Sequence, residues 1–470
     1  MKTLNAMRIG GVDVLPLIEG GKGISISNGI SSGHWAAAGG IGTFSAVNAD
    51  SYNADGRPIP QSYHGRTRRE RHEELVSYAI QGGIAQARRA AELAGGIGRI
   101  HANILWEMAG AERVISGVLE GARGLINGIT CGAGMPYRLA EIASRFGVHY
   151  YPIVSSARAF NALWKRAYNK VSDLLGGVVY EDPWLAGGHN GLSNSEDPAR
   201  PEAPFPRVLG LRKLMREFGL AETPIIIAGG VWWLDEWEDW IDNPDLGPMA
   251  FQFGTRPLLT RESPIGEGWK QRLLKLKQGD VFLNHFSPTG FYSSAVSNGF
   301  LNELKARSER QVAYAAEPIG EHVALYGVGP RRRPVYLTPA DLGRVGAWER
   351  EGFTEALRTP DSTLVFVTPE KATEIRRDQV ACMGCLSACR FSNWSDQAPE
   401  HSTGKKADPR SFCIQKTLQA ISHQSDQPEA VDQNLMFSGA NAFRFATDPF
   451  YSNGFIPTVK ELVERILTGR

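Results

Sequence analysis

"LLGGVVYEDPWLAGGHNG" (174–191) runs from an apolar, β-branched stretch into two glycines and a histidine. Residues 174–181 have the look of a short buried strand. Gly187 and Gly188 let the backbone beyond it adopt positive φ or lie close against another body. His189 follows at once. Taken alone, the stretch is as readily a glycine-rich turn with a surface histidine as a binding element. The rest of the chain decides between the two.

The same grammar recurs along the first part of the chain. Short apolar runs lie at "VLPLIEG" (14–20), "GIGTFSA" (40–46), "GRIHANILW" (98–106) and "GARGLINGIT" (121–130). They continue at "VHYYPIV" (148–154), "LLGGVVYE" (174–181), "TPIIIAGG" (223–230) and "MAFQFGT" (249–255). Segments of helical pattern separate them, among them "MPYRLAEIASRFG" and "RVLGLRKLMREFG", each ending on a glycine suited to a C-cap. Eight such units in about 255 residues match the usual size of a (β/α)8 barrel. A doubly wound sheet is the rival. The barrel is favoured because the unusual residues fall just after strands, where barrel active sites are built. The expected fold is therefore α/β: a (β/α)8 TIM barrel over 1–275, a post-barrel connecting region over 276–375 and a cysteine-bearing region over 376–470. The last two form a smaller α+β extension.

Composition narrows the function classes. The chain has 470 residues, 42% of them hydrophobic, and a net charge of +1. Basic runs such as Arg66-Thr67-Arg68-Arg69 stand beside Glu70, Glu73 and Glu74, a solvated face rather than a nucleic-acid patch. No apolar stretch has the length of a membrane span, and the first residues lack the apolar core of a signal peptide. A cytoplasmic protein is expected, with no nucleic-acid or membrane partner.

Glycine marks the strand ends: "EGGKGIS" (19–25), "TCGAGMP" (130–136), "AGGHNG" (186–191), "AGGV" (228–231) and "FGTRPL" (253–258). In a barrel the last two loops commonly present bare backbone N–H groups to a phosphate. Five glycine-bearing loops on one face point to a flat, phosphorylated cofactor.

With these residues assembled, the chain resembles the nitronate monooxygenase (2-nitropropane dioxygenase-type) family of FMN barrels over about residues 10–305. The motifs are "PLIEGGKGISISNGISSGHWAAAGGIGTFSA" (16–46), "HANIL" (101–105), "ITCGAGMP" (129–136), "AGGH" (186–189), "IIIAGGV" (225–231) and "FQFGTRPLLTRES" (251–263). "SPTGFYSSAVSNGFL" (287–301) is similar to the stretch after the barrel in this family and in its FMN-dependent enoyl reductase relatives. The resemblance implies that Gly20, Gly21 and Gly23 pass under FMN and that Asn103 hydrogen-bonds its ring edge. It implies that Gly187 and Gly188 line the cofactor, and that Gly229, Gly230, Gly254 and Thr255 hold its phosphate. His189 would stand over the reactive face as a general base or substrate-orienting group, a role that suits a side chain titrating near neutral pH.

The chain also departs from the family. Leu185 replaces an acidic residue before the "AGGH" turn, Lys22 stands where a neutral residue is usual, and a polar segment (48–74) has the length of a lid or binding element. Four of the five cysteines fall between Cys382 and Cys413; Cys131 is expected to pack in the core. Cys382, Cys385 and Cys389 give C-x2-C-x3-C, and Cys413 follows. In a cytosolic chain of this size such thiolates point to a metal rather than to disulfides. Three close cysteines with a distant fourth fit a [4Fe–4S] cluster better than the paired knuckles of structural zinc, with zinc and free thiols as alternatives. The run is similar to that beside the barrel in iron–sulfur members of the old yellow enzyme class, where the fourth cysteine follows sooner.

Three function classes compete. The first is the family activity, oxidation of an alkyl nitronate-like small molecule with O2. The second is an FMN/iron–sulfur reductase or dehydrogenase for an enoyl or other conjugated substrate, fed by NAD(P)H or an electron-donor protein. The third, a flavin-binding sensor, has no need of a histidine over the flavin. The family activity is the primary expectation, the reductase the second, and a homo-oligomer is compatible with either.

Overall fold

The computed structural model describes residues 2–53, 55–193, 195–423 and 430–469. Eight parallel strands close into a barrel: β1 (Leu17–Glu19), β2 (Ile41–Ser45), β3 (Arg99–Leu105), β4 (Gly128–Gly132), β5 (His149–Val154), β6 (Val178–Glu181), β7 (Ile225–Ala228) and β8 (Met249–Phe253). Register closes the ring: Ile226 is paired with Val179 on one side and Ala250 on the other, and Phe251 returns to Leu17. Each strand runs nearly uninterrupted in buried residues, as strands covered on both faces must. The barrel expectation thus holds. An N-terminal hairpin (Met7–Ile9 with Val12–Val14) packs Ile9 and Val14 against the interior-facing Ile18, Ile41, Tyr151 and Ile226.

Helices α1 (Gly29–Ala37), α2 (Arg68–Ala94), α3 (Ala111–Gly121), α4 (Leu139–Phe146), α5 (Ala157–Arg166) and α6 (Pro204–Glu217) follow the first six strands. Their ends have local causes. Asn28 accepts from the Ile30 and Ser31 amides to start α1, and Gly147, at φ 65°, ends α4. Two expected boundaries move. Strand four begins at Gly128 rather than 121, because α3 runs to Gly121 and Gly124 turns the chain at φ 81°. The polar segment 48–74 ends early: Thr67 and Glu70 form a reciprocal capping box that starts α2 at Arg68.

After β7 and β8 only short 3-10 turns follow, Leu234–Trp237 and Arg256–Leu259. The ring of helices is completed from far away in sequence. The last helix, Val459–Thr468, buries Val459, Leu462, Val463 and Ile466 in the barrel's own core alongside α1. Burial of such side chains is worth about 1.5–3 kcal/mol each, which ties the chain's end to the barrel.

The remaining chain is α+β, as expected. A three-stranded antiparallel sheet (Gln311–Ala313, Thr363–Val367, Glu355–Arg358) and a hairpin (Ala324–Val328 with Arg333–Leu337) share a core of Val312, Val335, Leu337, Leu364 and Phe366. The cysteine-bearing segment is not separate from the barrel mouth. Cys382, Cys385 and Cys389 belong to one apolar cluster with Ile24, Ile26, Trp232 and Trp233. Among the described residues no helix is long and apolar enough to cross a membrane.

Candidate active site

The C-terminal ends of the strands surround a cavity with about 1400 Å³ of non-atom space, solvent included. Gly20, Gly21, Gly23, Asn103, Gly187, Gly188, His189, Gly229, Gly230, Gly254 and Thr255 all line it. The sequence reading therefore drew its site residues from one place.

The glycines have different reasons to be glycine. A Cβ on Gly21 would fall 2.2 Å from the Asn103 Cβ, and one on Gly187 would strike the backbone of Ser438 and Gly439. Gly229 and Gly230 sit at φ 90° and 80°, where a side chain is strained. Gly254 is unlike these: a Cβ there meets nothing within 4 Å. At that end of the chamber the Ser438 hydroxyl is buried and, among the described residues, has no hydrogen-bond partner. Bare backbone, open space beside Gly254 and an unpartnered hydroxyl fit a phosphate group.

Part of this cradle was not visible in the sequence. Residues 436–441 fold back over it: the Gly439 amide donates to Thr255 Oγ1 at 2.9 Å, and Asn441 Nδ2 donates to the Gly230 carbonyl at 2.8 Å. Thr255 Oγ1 is thus already engaged by the protein. The neighbouring Arg256 does not reach the chamber; its guanidinium lies 4.1 Å from the Trp233 ring centroid and donates to the Trp232 carbonyl. A helix, Ile414–His423, forms an apolar wall, turning Ile414, Leu418 and Ile421 inward at helical spacing.

His189 sits across the chamber. Gly188–His189 form a two-residue strand paired with Ser293–Val296, which places Ser287 Oγ 2.6 Å from His189 Nε2. Among the described residues Nδ1 has no protein partner. The Phe437 ring meets the imidazole edge-on at 5.2 Å. Burial pushes the imidazole down to about 4, so it is neutral at pH 7. The expected titration near neutrality is corrected: as it stands, His189 accepts a proton or orients a group, but has none to spare as an acid.

A second ionisable group in the chamber is a residue the sequence reading passed over. Glu181, the last residue of β6, lines the same cavity, and burial with the adjacent Asp182 pushes its carboxyl up to about 8. It is protonated at neutral pH. Its position at a strand end was the signal that could have found it. Asn103, buried at the end of β3, donates from Nδ2 to Thr130 Oγ1 at 3.2 Å.

Cys382, Cys385, Cys389 and Cys413 line a second, small cavity with Asp378, Phe391 and Ser392. Ile414 lines both cavities and so belongs to the wall between them. The Gly384 amide points at Cys382 Sγ, 3.4 Å away. Burial and the neighbouring sulfurs push the Cys385 thiol well up. Among the described residues no group of three or more His, Cys, Asp or Glu side chains is placed to hold a metal ion. Cys131 is fully buried in the barrel core.

No family model matches the chain, and no curated protein matches its sequence. Among solved structures, the enoyl reductase domain of MlnA from the macrolactin biosynthesis cluster of Bacillus amyloliquefaciens aligns with a TM-score of 0.51 at 12% identity, over 97% of this chain and 93% of that one. FabK from Thermotoga maritima aligns at 0.49 and 14%, over 97% and 92%. Nitroalkane oxidase from Streptomyces ansochromogenes aligns at 0.42 and 16%, over 61% and 78%. At these identities the likeness is one of fold. In the MlnA alignment it takes in the extension as well as the barrel.

Proposed function

We propose that the protein is an FMN-dependent oxidoreductase acting on a small, largely apolar molecule at the barrel mouth. The observation that carries this reading is the pairing of an anion cradle with acid–base groups in one chamber. Open space at Gly254 and the free Ser438 hydroxyl lie beside the backbone of Gly229 and Gly230, and His189 and Glu181 line the same cavity. FMN held there, over the backbone of residues 20–23, supplies hydride and single-electron chemistry. The protein's own contribution is to move protons and exclude water. His189, neutral and fixed by Ser287, takes a proton at Nδ1 or orients the substrate. Glu181 gives a proton from its carboxyl. Ile414, Leu418, Ile421 and Phe437 shape the apolar end.

Two reactions fit this chamber. Oxidation of an alkyl nitronate needs a base and a flavin, and nothing in the chamber opposes it. Reduction of a conjugated substrate, the MlnA domain being named an enoyl reductase, also needs an acid and a source of electrons, while the reverse dehydrogenation needs a base and an electron acceptor. One observation favours the second: four thiols gather around a cavity that shares the lining residue Ile414 with the chamber. We read these thiols as ligands of a [4Fe–4S] cluster, with zinc as the alternative. A cluster core spaces its thiolates more widely than the roughly 2.3 Å Zn–S bonds of one tetrahedral ion, which suits a cavity rather than a single ligand point.

Spectra of anaerobically purified protein, followed by oxygen uptake with propionate 3-nitronate, separate the readings. A flavin spectrum with rapid uptake supports nitronate oxidation. A flavin spectrum with broad iron–sulfur absorption and no uptake supports the reductase. Protein without flavin overturns both.

A further inference from the structure

Lys22 is the only cationic side chain among the described residues that line the chamber. It sits between Gly21 and Gly23 in the loop after β1. Its Nζ donates to the Gly20 carbonyl at 2.7 Å and lies 3.7 Å from Glu19 Oε1, close enough for an ion pair but too far for a hydrogen bond. An ammonium has three N–H donors, so these contacts leave donor capacity on a side chain that lines the chamber and is 17% exposed.

Glu19 is itself under-satisfied. Ser31 Oγ donates to its Oε1 at 2.9 Å, while among the described residues Oε2 makes no well-formed hydrogen bond, though the Ser32 side chain and the Thr43 backbone lie beside the carboxyl. The carboxylate is 1% exposed. Burial drives Glu19 up and Lys22 down, toward their neutral forms, while each favours the charge on the other. A buried pair of this kind adds little to stability over a well-packed apolar side chain. Its presence in the chamber is therefore better explained by what enters than by the fold.

We propose that Lys22 is the counter-charge for the negative charge that the bound flavin takes up on reduction, and that Glu19 limits how strongly it acts. This rests on the FMN reading above. In a site screened from water an ammonium stabilises a nearby anion far more than it would in solution. A fixed positive charge near the ring system raises the potential at which a flavin is reduced. Glu19 holds part of that charge back.

Sulfite tests this without turnover. Its sulfur lone pair forms one N–S bond to the oxidised ring system, which takes up the electron pair and the negative charge; the visible flavin band bleaches, and no other reactant is consumed. FMN-loaded wild type, Lys22→Met, Lys22→Arg and Glu19→Gln are titrated with sulfite, and their midpoint potentials are measured. Lys22→Met should weaken sulfite binding at least about tenfold and shift the potential negative, while Lys22→Arg restores most of both. Glu19→Gln should act with the opposite sign, a result that general disturbance of the loop does not give. FMN-loaded variants with unchanged sulfite affinity and potential overturn the inference and leave the flavin reading standing. A wild-type chain that takes up no FMN overturns both.

Discussion

The two cavities at the barrel mouth share Ile414 as a wall and otherwise have little in common. The larger is assembled from the ends of all eight barrel strands, the loops after six of them, and two segments more than 150 residues further along. It brings together glycine backbone, Lys22, Glu181 and His189. The smaller is built mainly from one short run, residues 378–392, with Cys413 and Ile414 arriving beside it, and its lining is four thiols, three apolar residues, Asp378 and Ser392. The first has the geometry of a site that holds a large ligand and moves protons. The second has room for something small that thiols bind. Their adjacency is what the proposed reductase reading rests on: a redox centre at the thiols would lie beside the flavin chamber, across the wall to which Ile414 belongs.

The comparison breaks most visibly at Cys385. Cys385→Ser should abolish iron in anaerobically purified protein and leave FMN content unchanged. Metal analysis and the visible spectrum read both at once, and stoichiometric zinc with flavin bands but no iron–sulfur absorption would leave the second cavity without an electron relay. Next comes His189→Ala, which should lower turnover on the true substrate by about 10²–10⁴-fold, the usual span for lost acid–base assistance, with the flavin spectrum intact. Near-normal turnover would reduce His189 to a turn residue.

Glu181→Gln is expected to have a smaller effect at neutral pH and a diagnostic one on the pH profile. The folded-state carboxyl titrates near 8, so the acid is present below that pH and lost above it. Wild-type activity should decline through about pH 8, and the variant should lack that limb. The same shift has a stability consequence. A carboxyl raised by folding contributes its stability below its unfolded value and loses it as pH climbs to about 8, so cofactor-free wild type should fall behind Glu181→Gln across that window in thermal melts. Parallel melting profiles would remove the claim that this carboxyl is buried without a cation. The smallest effect is assigned to Ser287→Ala. It frees His189 Nε2 and should cost turnover less than tenfold, mostly in kcat, and a loss as large as that of His189→Ala would show that Ser287 does more than orient the ring.

The two regions were legible to different degrees. The barrel could be read because each strand, its glycine turn and its site residue are neighbours in sequence, as in Val178 to His189. Capping signals were local too: Thr67 with Glu70, and Thr458 with Glu461, are plain in the sequence. What stayed hidden depends on chain return. Nothing in "MFSGAN" (436–441) announces that Gly439 will bind Thr255, nor in the last helix that it packs against α1. Glu181 and Lys22 were both in quoted motifs. Their chemistry comes from burial in a shared chamber, which sequence spacing does not encode. The same holds for the shift of His189 away from neutrality. The cysteine run was visible, but its place beside the chamber was not, because Cys413 and Ile414 reach it from outside the run.

The claim on which everything else rests is that FMN occupies the barrel mouth with its phosphate in the cradle at Gly254. The direct measurement is the flavin released on denaturation from purified wild type and from Gly254→Leu. This position is the cleaner choice over Gly229, since its added side chain enters open space while one at Gly229 would strain the backbone at φ 90°. The account predicts close to one FMN per chain in the wild type, and little or none in the variant at an unchanged melting temperature. A variant that keeps its full complement of FMN, or a wild type that cannot be loaded with any, would contradict it.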